Sequence, residues 1–557
     1  MTPTAPFASV IDDAPQSALI ADTEDLLRTA RSVYAGDREA TALIDQLEVR
    51  LHEPLRLALA GMVKAGKSTL MNALLGERIA ATDTAECTRI VTWYRYSATP
   101  TITMHLRDGG TERMPIRREH GLLVFDLGGR TAEEIEWIDV GWPLDGLESL
   151  ILIDTPGIAS LSGETSARTA RFLTPEDSPS AADAVVYLMR HLHGSDVKFL
   201  EAFRDTAAGA AQSVAAVAVL SRTDEIGSGR IDSLLSARRV AGRYERDGNL
   251  SALALGVVPV AGLLAEGART LRESEYIAFR ELAGLERTER ERLLVSADRF
   301  TRASDATGLS VAVRQDLLGR FGIFGVRLAT AIIRGGVSSS SELSDALVQQ
   351  SGMIELQQFV QTQFHPRAET LKARGVVLQL QALLRRAPRA GTERIRAGIE
   401  RFTVSAHMLR ELSLLAQARS SGLPLDESEA TDAARILGAA GIAASDRLGL
   451  AADATSADIA GRASTEIDRW RALAASPMIE RQTADVYEAV LRSLAAIASE
   501  VGLARSLRPA PHIEAPGGPG DGAGEDAAEQ GKQNQGGLRR KKRLQWFPLR
   551  TERHPLR

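Results

Sequence analysis

One eight-residue pattern near the start of the chain restricts the fold more than any other feature. Residues 61–68 read G-M-V-K-A-G-K-S, which matches G-x-x-x-x-G-K-[ST]. Its glycines allow a tight backbone turn whose N–H groups face phosphate oxygens. Lys67 is placed to reach the β- and γ-phosphates of a nucleotide, and the Ser68 hydroxyl is placed to hold Mg²⁺. An apolar run precedes the pattern and a helical run follows it, as a phosphate-binding loop requires. The predicted contacts from this loop are Gly61, Val63, Lys64, Ala65, Gly66, Lys67, Ser68 and Thr69.

The chain from residue 55 to about 262 alternates short apolar runs with turns and helical patterns. Several runs are unbroken, which is typical of strands buried on both faces of a sheet. Strands alternating with helices predict an α/β fold with a doubly wound, mostly parallel sheet. We expect strands at 55–60, 90–96, 101–106, 149–153, 184–189, 214–220 and 256–260.

Helical patterns lie on both sides of this segment. Residues 16–53 predict one or two amphipathic helices, and long helical patterns continue from about 266 to 507. Residues 509–537 are rich in Pro, Gly and acidic side chains, which is typical of a disordered linker. We therefore expect four parts: N-terminal helices over 1–53, a nucleotide-binding α/β domain over 54–265, a helical bundle or stalk over 266–508, and a linker with a basic tail over 509–557.

Composition excludes several other classes of protein. The formal net charge is −5, so nucleic acid is not expected as a partner. The one cysteine, Cys87, excludes an internal disulfide and a cysteine metal cluster. We see neither a secretory signal nor an apolar run of about 18 residues, so a cytoplasmic location is expected.

Two motifs follow predicted strands at the edge where a doubly wound sheet binds ligands. Asp154 begins D-T-P-G; it is expected to bind Mg²⁺ through water, and the Gly157 amide is expected to sense the γ-phosphate. D-x-P-G is also a common turn. Asp224 ends S-R-T-D, where GTPases carry [NT]-K-x-D with an Asp that accepts hydrogen bonds from guanine.

The S-R-T-D segment departs from the usual base-reading motif at two positions. Arg222 replaces Lys and Ser221 replaces Asn or Thr, although an Arg can also stack on a base. An ordinary strand-to-helix turn is the alternative. The base-closing loop is expected at Ala261 and Gly262.

Besides Lys67, two residues are catalytic candidates. Thr88 is the predicted switch residue that caps Mg²⁺, with Thr82, Thr84 and Thr92 as alternatives. Ile158 stands near where small GTPases place a water-orienting Gln. Lys64 is a candidate finger that neutralises charge on the β–γ bridge, the alternative being a solvated lysine at the rim.

The motif spacings resemble those of the dynamin family. Gly61 and Asp154 are 93 positions apart, and Asp224 follows 70 positions later. The string 61–76 is similar to bacterial dynamin-like proteins. Segments 321–328 and 410–412 resemble actinobacterial members, including the isoniazid-inducible dynamin-like proteins and the paired dynamins of sporulation septa. The resemblance covers roughly residues 20–507.

This resemblance implies a GTPase head that uses GTP and Mg²⁺, a neck built from both ends of the chain, and a trunk that meets anionic membrane. It implies homodimers formed through the heads on nucleotide binding, and a second dynamin-like protein is a further candidate partner. Eukaryotic dynamins carry Gln and Ser where this chain has Val63 and Lys64. Lys64 occupies the place where guanylate-binding proteins use an arginine finger.

Two regions are predicted to contact membrane. Leu423 and Leu425 lie in a Gly-Pro turn that would expose them at a hairpin tip; a plain interhelical turn is the alternative. The C-terminal tail combines basic and aromatic side chains that suit anionic lipid, the alternatives being a solubilising or nucleic-acid-binding tail. Its candidate residues are Arg539, Arg540, Lys541, Lys542, Arg543, Trp546 and Phe547.

The expected function is GTP hydrolysis coupled to self-association and membrane remodelling or maintenance at the inner face of the cell membrane, division septa included. One alternative is a regulatory GTPase acting on ribosome or RNA. Another is a nucleotide-gated scaffold with low turnover that partners a second dynamin-like protein.

Overall fold

The computed structural model describes residues 18–80, 89–119, 122–157, 181–208, 215–246, 250, 253–405, 407–420, 422–476 and 479–506. Buried apolar side chains form three cores in this part of the chain, and we call the regions around them the head, the neck and the trunk.

The strands of the head are β1 Leu55–Gly61, β2 Val91–Tyr96, β3 Thr101–Leu106, β4 Thr111–Arg113, β5 Arg117–Glu119, β6 Leu122–Val124, β7 Ile135–Trp142, β8 Leu150–Asp154, β9 Ala184–Met189, β10 Ala216–Leu220 and β11 Val257–Pro259. The head is built on a nine-stranded sheet whose order is β11-β10-β9-β1-β8-β2-β7-β3-β4. Strand β1 pairs in parallel with β8 and β9, and the parallel pairing continues through β10 to β11. Strands β2 and β7 are also parallel, whereas β2–β8, β3–β7 and β3–β4 are antiparallel. Strands β5 and β6 form a separate hairpin.

The predicted α/β fold with a mostly parallel sheet is confirmed, and each of the seven predicted strands is present within two residues of its expected bounds. Four strands were missed. Three of them have three residues each, too short for a periodic pattern. The fourth, β7, carries Glu136 and Asp139 between buried apolar residues, so it does not form an apolar run.

Helices make up the rest of the described chain. Beyond β11, no further strand occurs among the described residues, as expected. The helices are α1 Ala18–Val33, α2 Arg38–His52, α3 Lys67–Leu75, α4 Gly194–Ala208, α5 Ser233–Glu245, α6 Gly262–Arg269, α7 Glu273–Gly284, α8 Arg287–Leu293, α9 Ala297–Thr301, α10 Val311–Arg334, α11 Ser340–Gln350, α12 Met353–Phe359, α13 Ala368–Arg386, α14 Glu393–Ser405, α15 His407–Ser420, α16 Glu427–Ile436, α17 Ala444–Leu448, α18 Ser456–Ala474 and α19 Arg481–Ser506.

The head includes helices that follow the sheet in the chain. Helix α6 packs against α3, α10 and α11, and α10 packs against α7. Their apolar side chains belong to the same core as the strands, which continues without a break to Leu371. The sheet therefore shares its core with helices that lie well beyond residue 265.

The neck joins the N-terminal helices to helices from the middle of the chain. The last described helix, α19, belongs to the trunk core instead, so the expectation of a neck built from both ends of the chain is wrong for this structure. The apolar faces of α1 and α2 pack against α13 and α14 around a common core. Tyr34, in the turn after α1, donates a hydrogen bond of 2.7 Å to the Ala387 carbonyl, 353 positions away. At the junction with the head, Arg50 forms a buried ion pair of 3.1 Å with Asp183, which also accepts the Arg56 amide.

The trunk is an α-helical bundle whose core contains Trp470, which is fully buried beside Tyr487. The prediction that Leu423 and Leu425 are free to insert into membrane is wrong for this structure. Leu423 is 7% exposed, and both leucines pack on the trunk core. The Pro424 carbonyl accepts a hydrogen bond of 2.7 Å from Thr483, which fixes the turn to α19. Among the described helices, none combines the length and apolarity needed to cross a bilayer.

A buried polar cluster lies inside the trunk and is centred on Glu411, one of the residues that carry the family resemblance. Its carboxylate accepts from Arg447 and from the Ser493 hydroxyl, while His407 lies 3.4 Å away. Burial alone would raise the pKa of Glu411, but the bonds from His407 and Ser493 and the charge of Arg447 bring it below its ordinary value. The cluster ties α15, α17 and α19 together.

We predict that Glu411→Gln lowers the free energy of trunk unfolding by about 3 kcal/mol, because it leaves Arg447 buried without a countercharge. The pKa of Glu411 is depressed in the folded state, so its contribution is complete above the unfolded-state pKa and is lost as pH falls through the folded value. Urea unfolding at pH 7 and pH 4 measures both effects. Glu488→Gln, on the exposed face of α19, is the matched control. Equal unfolding midpoints for the two variants at pH 7 would contradict the role of Glu411.

Candidate nucleotide site

The loop between β1 and α3 has the geometry that its sequence predicts. Gly61 has φ +146°, and a Cβ there would lie 2.3 Å from the Leu188 carbonyl oxygen on β9. Gly66 has φ +96° and precedes the first turn of α3. Both positions need glycine, the first for close backbone approach and the second for its backbone conformation. The first-turn N–H groups of α3 are consequently available to phosphate oxygens.

Lys67 lies inside this loop. Its ammonium donates to the carbonyls of Gly61 at 3.2 Å and Met62 at 3.3 Å, which leaves one of its three protons for a phosphate. Burial lowers the pKa of Lys67, and the nearby charge of Asp154 opposes that shift. A bound polyphosphate would likewise favour the charged ammonium.

Asp154, at the carboxyl end of β8, accepts a hydrogen bond of 2.9 Å from the Ser68 hydroxyl through Oδ2. Its other oxygen, Oδ1, is buried and has no hydrogen-bond partner. Burial raises the pKa of Asp154, which Lys67 and Ser68 partly counter. A buried carboxylate oxygen beside a hydroxyl fits a hard divalent cation such as Mg²⁺, so these two residues suit the predicted metal site.

The switch threonine stays a prediction. Thr88, together with Thr82 and Thr84, lies outside the described residues. Thr92, the remaining alternative, is buried in β2 and sits opposite Asp154 in the antiparallel register.

Gly157 lies against the phosphate loop. A Cβ at this position would be 2.5 Å from Val63 Cγ2 and 2.8 Å from Val63 Cα, so a side chain is excluded here. This contact brings the D-T-P-G and G-M-V-K-A-G-K-S motifs together, as expected if the Gly157 amide senses the γ-phosphate. Ile158 is outside the described residues.

Lys64 has an unusual backbone conformation. Its φ is +62°, which is rare for a residue with a side chain and is found at functional turns. Lys64 is exposed beside the 43%-exposed Val63. The geometry is compatible with a cation that reaches the phosphates and with a lysine at the rim.

Next to the phosphate loop lies a pocket whose lining includes residues of the motifs predicted to bind the nucleoside. It is lined by Ala65, Gly66, Thr69, Ser221, Arg222, Asp224 and Gly262. The rest of the lining is an apolar wall and one acidic residue, which could not be predicted because strand and helix residues of this kind carry no motif. These residues are Leu70, Leu188, Val219, Val260 and Leu263, with the acidic Glu225. Ala261 does not line the pocket; its amide donates to the Ser351 carbonyl at 2.8 Å and thereby fixes the loop.

The two departures from the usual base-reading motif have structural roles. The Ser221 hydroxyl donates to the Met189 carbonyl at 3.1 Å, which ties the motif to β9. Arg222 has φ +52°, and its guanidinium pairs with Glu225 at 2.6 Å. Its aliphatic stem is therefore the part that can cover a base. Burial raises the pKa of Asp224, so bonds from a ligand's N–H groups would favour its ionised form.

Comparisons with known proteins decide the family. A family model described as a 50S ribosome-binding GTPase matches residues 56–217. The isoniazid-induced protein IniC of Mycobacterium tuberculosis is 40% identical over 457 residues, which is 82% of this chain and 92% of IniC. A bacterial dynamin-like protein of Nostoc punctiforme is 43% identical over 54 residues, 10% of this chain and 8% of its own. The chain belongs to the bacterial dynamin-like GTPases.

This dynamin-like GTPase is therefore a GTP hydrolase, and the GTP-binding prediction is confirmed at the level of the family. The isoniazid-induced protein IniA of the same organism is 34% identical over 152 residues, 25% of this chain and 21% of IniA. A solved oligomerised bacterial dynamin pair matches with a TM-score of 0.31 and 11% identity over 89% of this chain and 77% of that one, which is too weak to add to the assignment. Ribosome binding describes the members of the matched family model, whose match ends inside β10.

We predict that Lys67→Ala reduces GTP affinity by at least ~100-fold, because a charge-assisted contact to the phosphates is lost inside a buried loop. Titration with a fluorescent GTP analogue measures the affinity. Lys198→Ala, which removes an exposed lysine of α4, is the control and should bind as the unmodified protein does. Unchanged affinity for Lys67→Ala with a folded head would overturn the assignment of the phosphate loop.

Proposed function

We propose that this dynamin-like GTPase couples GTP hydrolysis to self-association and to remodelling or maintenance of anionic membrane at the inner face of the cell membrane, division septa included. The observation that carries the proposal is the neck. The N-terminal helices α1 and α2 pack there against α13 and α14 from the middle of the chain, and the neck joins the head through the buried Arg50–Asp183 pair. A change in the head can therefore be transmitted along a rigid helical element to the trunk.

In the proposed site, each residue has a defined task. The loop amides and Lys67 bind the phosphates, and Asp224 accepts hydrogen bonds from guanine. Ser68 and Asp154, with Thr88 as the predicted third group, would hold Mg²⁺, which when bound supplies positive charge beside the β- and γ-phosphates. The Gly157 amide would sense the γ-phosphate.

Lys64 is proposed as a finger supplied by the chain itself. Two observations support this proposal: the backbone of Lys64 has a left-handed conformation, and its side chain is exposed. From this exposed position its ammonium can approach charge that develops on the bridging oxygen, and pairing of two heads would close water out of this space.

For membrane contact, the basic tail is now the stronger of the two predicted regions, because Leu423 and Leu425 pack on the trunk core. The tail residues 539–547 lie outside the described residues. Clusters of Lys and Arg with neighbouring aromatics are attracted to anionic lipid surfaces. A homodimer of heads or a second dynamin-like protein would then assemble on that surface.

We predict that Lys64→Ala lowers kcat for GTP about 100-fold while KM changes less than about threefold, because the lost charge acts in the transition state. Lys64→Arg keeps the cation and should recover most of the rate. Lys198→Ala, which removes an exposed lysine of α4 outside the site, is the control. Steady-state kinetics at saturating Mg²⁺ give both constants; a wild-type kcat for Lys64→Ala would rule the finger out.

We also predict that vesicles rich in anionic lipid raise GTP turnover several-fold, and that removal of residues 538–557 removes this stimulation but not the basal rate. Phosphate release is measured with anionic vesicles, with neutral vesicles and with ribosomes. Stimulation by ribosomes alone would favour the regulatory GTPase, and GTP binding without turnover in any mixture would favour the scaffold.

A further inference from the structure

Helix α10 lies beside the base-reading loop and is broken there. Gly322 has φ +62° and ψ 170°, a conformation outside the helical range and accessible to glycine, so the helix changes course at this point. The break falls within segment 321–328, which carries part of the family resemblance and which the nucleotide motifs leave unexplained.

The break lies next to Asp224. A Cβ added to Gly322 would stand 3.7 Å from Asp224 Oδ2 and 3.7 Å from Leu263 Cδ2, a residue that lines the nucleoside pocket. The α10 backbone thus forms a wall against the carboxylate that is predicted to read guanine.

Helix α10 also holds the end of the base-reading loop. Gly229 closes that loop at φ +70°, and a Cβ there would lie 2.9 Å from Ile323 Cγ2. Arg327, one turn further along α10, donates from Nη1 to the Gly229 carbonyl at 2.6 Å. The same guanidinium donates to the carbonyls of Leu294 at 2.8 Å and Val295 at 2.7 Å. Three backbone carbonyls are joined through one side chain.

We propose that Gly322 and Arg327 are positioning residues for base recognition: they fix the Asp224 carboxylate so that both of its oxygens face the guanine edge. This inference rests on the assignment of Asp224 as the base reader. Within the described residues, the carboxylate accepts from its own backbone N–H. Its orientation therefore depends on the loop that carries it and on the wall formed by α10.

Guanine and hypoxanthine report on this orientation differently. Guanine presents two donors on one edge, N1–H and the 2-amino group, so a correctly aimed carboxylate forms two charge-assisted hydrogen bonds. Hypoxanthine lacks the 2-amino group and forms one. When the carboxylate is displaced, GTP loses its advantage over ITP, whereas the phosphate contacts are the same for both nucleotides.

The test compares Gly322→Ala and Arg327→Lys with matched controls on the same helix. Gly319→Ala adds a methyl group where nothing lies within 4 Å, and Arg334→Lys changes an exposed arginine in the last turn of α10. The full chain is assayed for kcat and KM with GTP and with ITP, and the melting temperature of each variant is recorded.

We expect both test variants to raise KM for GTP about tenfold with kcat within about twofold. The ratio of KM for ITP to KM for GTP should fall about threefold, because GTP loses two hydrogen bonds and ITP loses one. The controls should leave this ratio unchanged. If KM rises equally for GTP and ITP and the melting temperature of the variant falls, the residue acts on the stability of the head, which contradicts the inference. A ratio of KM values equal to that of the controls also contradicts it.

Asp224→Asn separates failure of the inference from failure of its premise. The Asn amide donates where the carboxylate accepted, so preference should move from GTP to XTP, whose 2-oxo group accepts. If Asp224→Asn leaves the preference for GTP intact, the base-reader assignment fails. If Asp224→Asn shifts the preference to XTP but the α10 variants keep the ITP-to-GTP ratio of KM values of the controls, Asp224 reads the base and only the role proposed for α10 is wrong.

Discussion

The nucleotide site depends on the parallel pairing of β1 with β8 on one side and with β9 on the other. Parallel strands end at the same edge of a sheet, so this pairing brings the phosphate loop, Asp154 and the segment after β10 within reach of one ligand. At Gly61 the backbone of β1 lies so near β9 that a Cβ would stand 2.3 Å from the Leu188 carbonyl oxygen. A larger residue there would separate β1 from β9 and widen the site.

The sequence was informative where chemistry restricts residue type. Strands with apolar runs and the three nucleotide motifs could be located because buried parallel strands and phosphate loops each admit few residues. Strand β7 could not, because Glu136 and Asp139 interrupt its apolar residues as they would in a surface segment. The pocket wall at Leu188 and Leu263 was missed for a similar reason: packing partners, and not local pattern, decide which leucines face a ligand.

The trunk also shows that a local sequence pattern does not decide which leucines are exposed. A Gly-Leu-Pro-Leu turn suggested exposed leucines, yet Leu423 and Leu425 fill space on the trunk core and the turn is bonded to Thr483. The segments 321–328 and 410–412 were noted as family resemblance alone. In three dimensions the first packs against the base-reading loop, and the second contributes the carboxylate at the centre of the trunk's polar cluster.

The neck has a consequence for biosynthesis. Helices α1 and α2 leave the ribosome before the helix that covers their apolar faces, which begins at Ala368, roughly 300 residues later. At about 5–20 residues per second, their apolar stripes wait roughly 15–60 s for a partner. The nascent chain therefore holds an unpaired amphipathic hairpin throughout synthesis of the head, and during that interval it is a natural substrate for a chaperone that binds apolar helices.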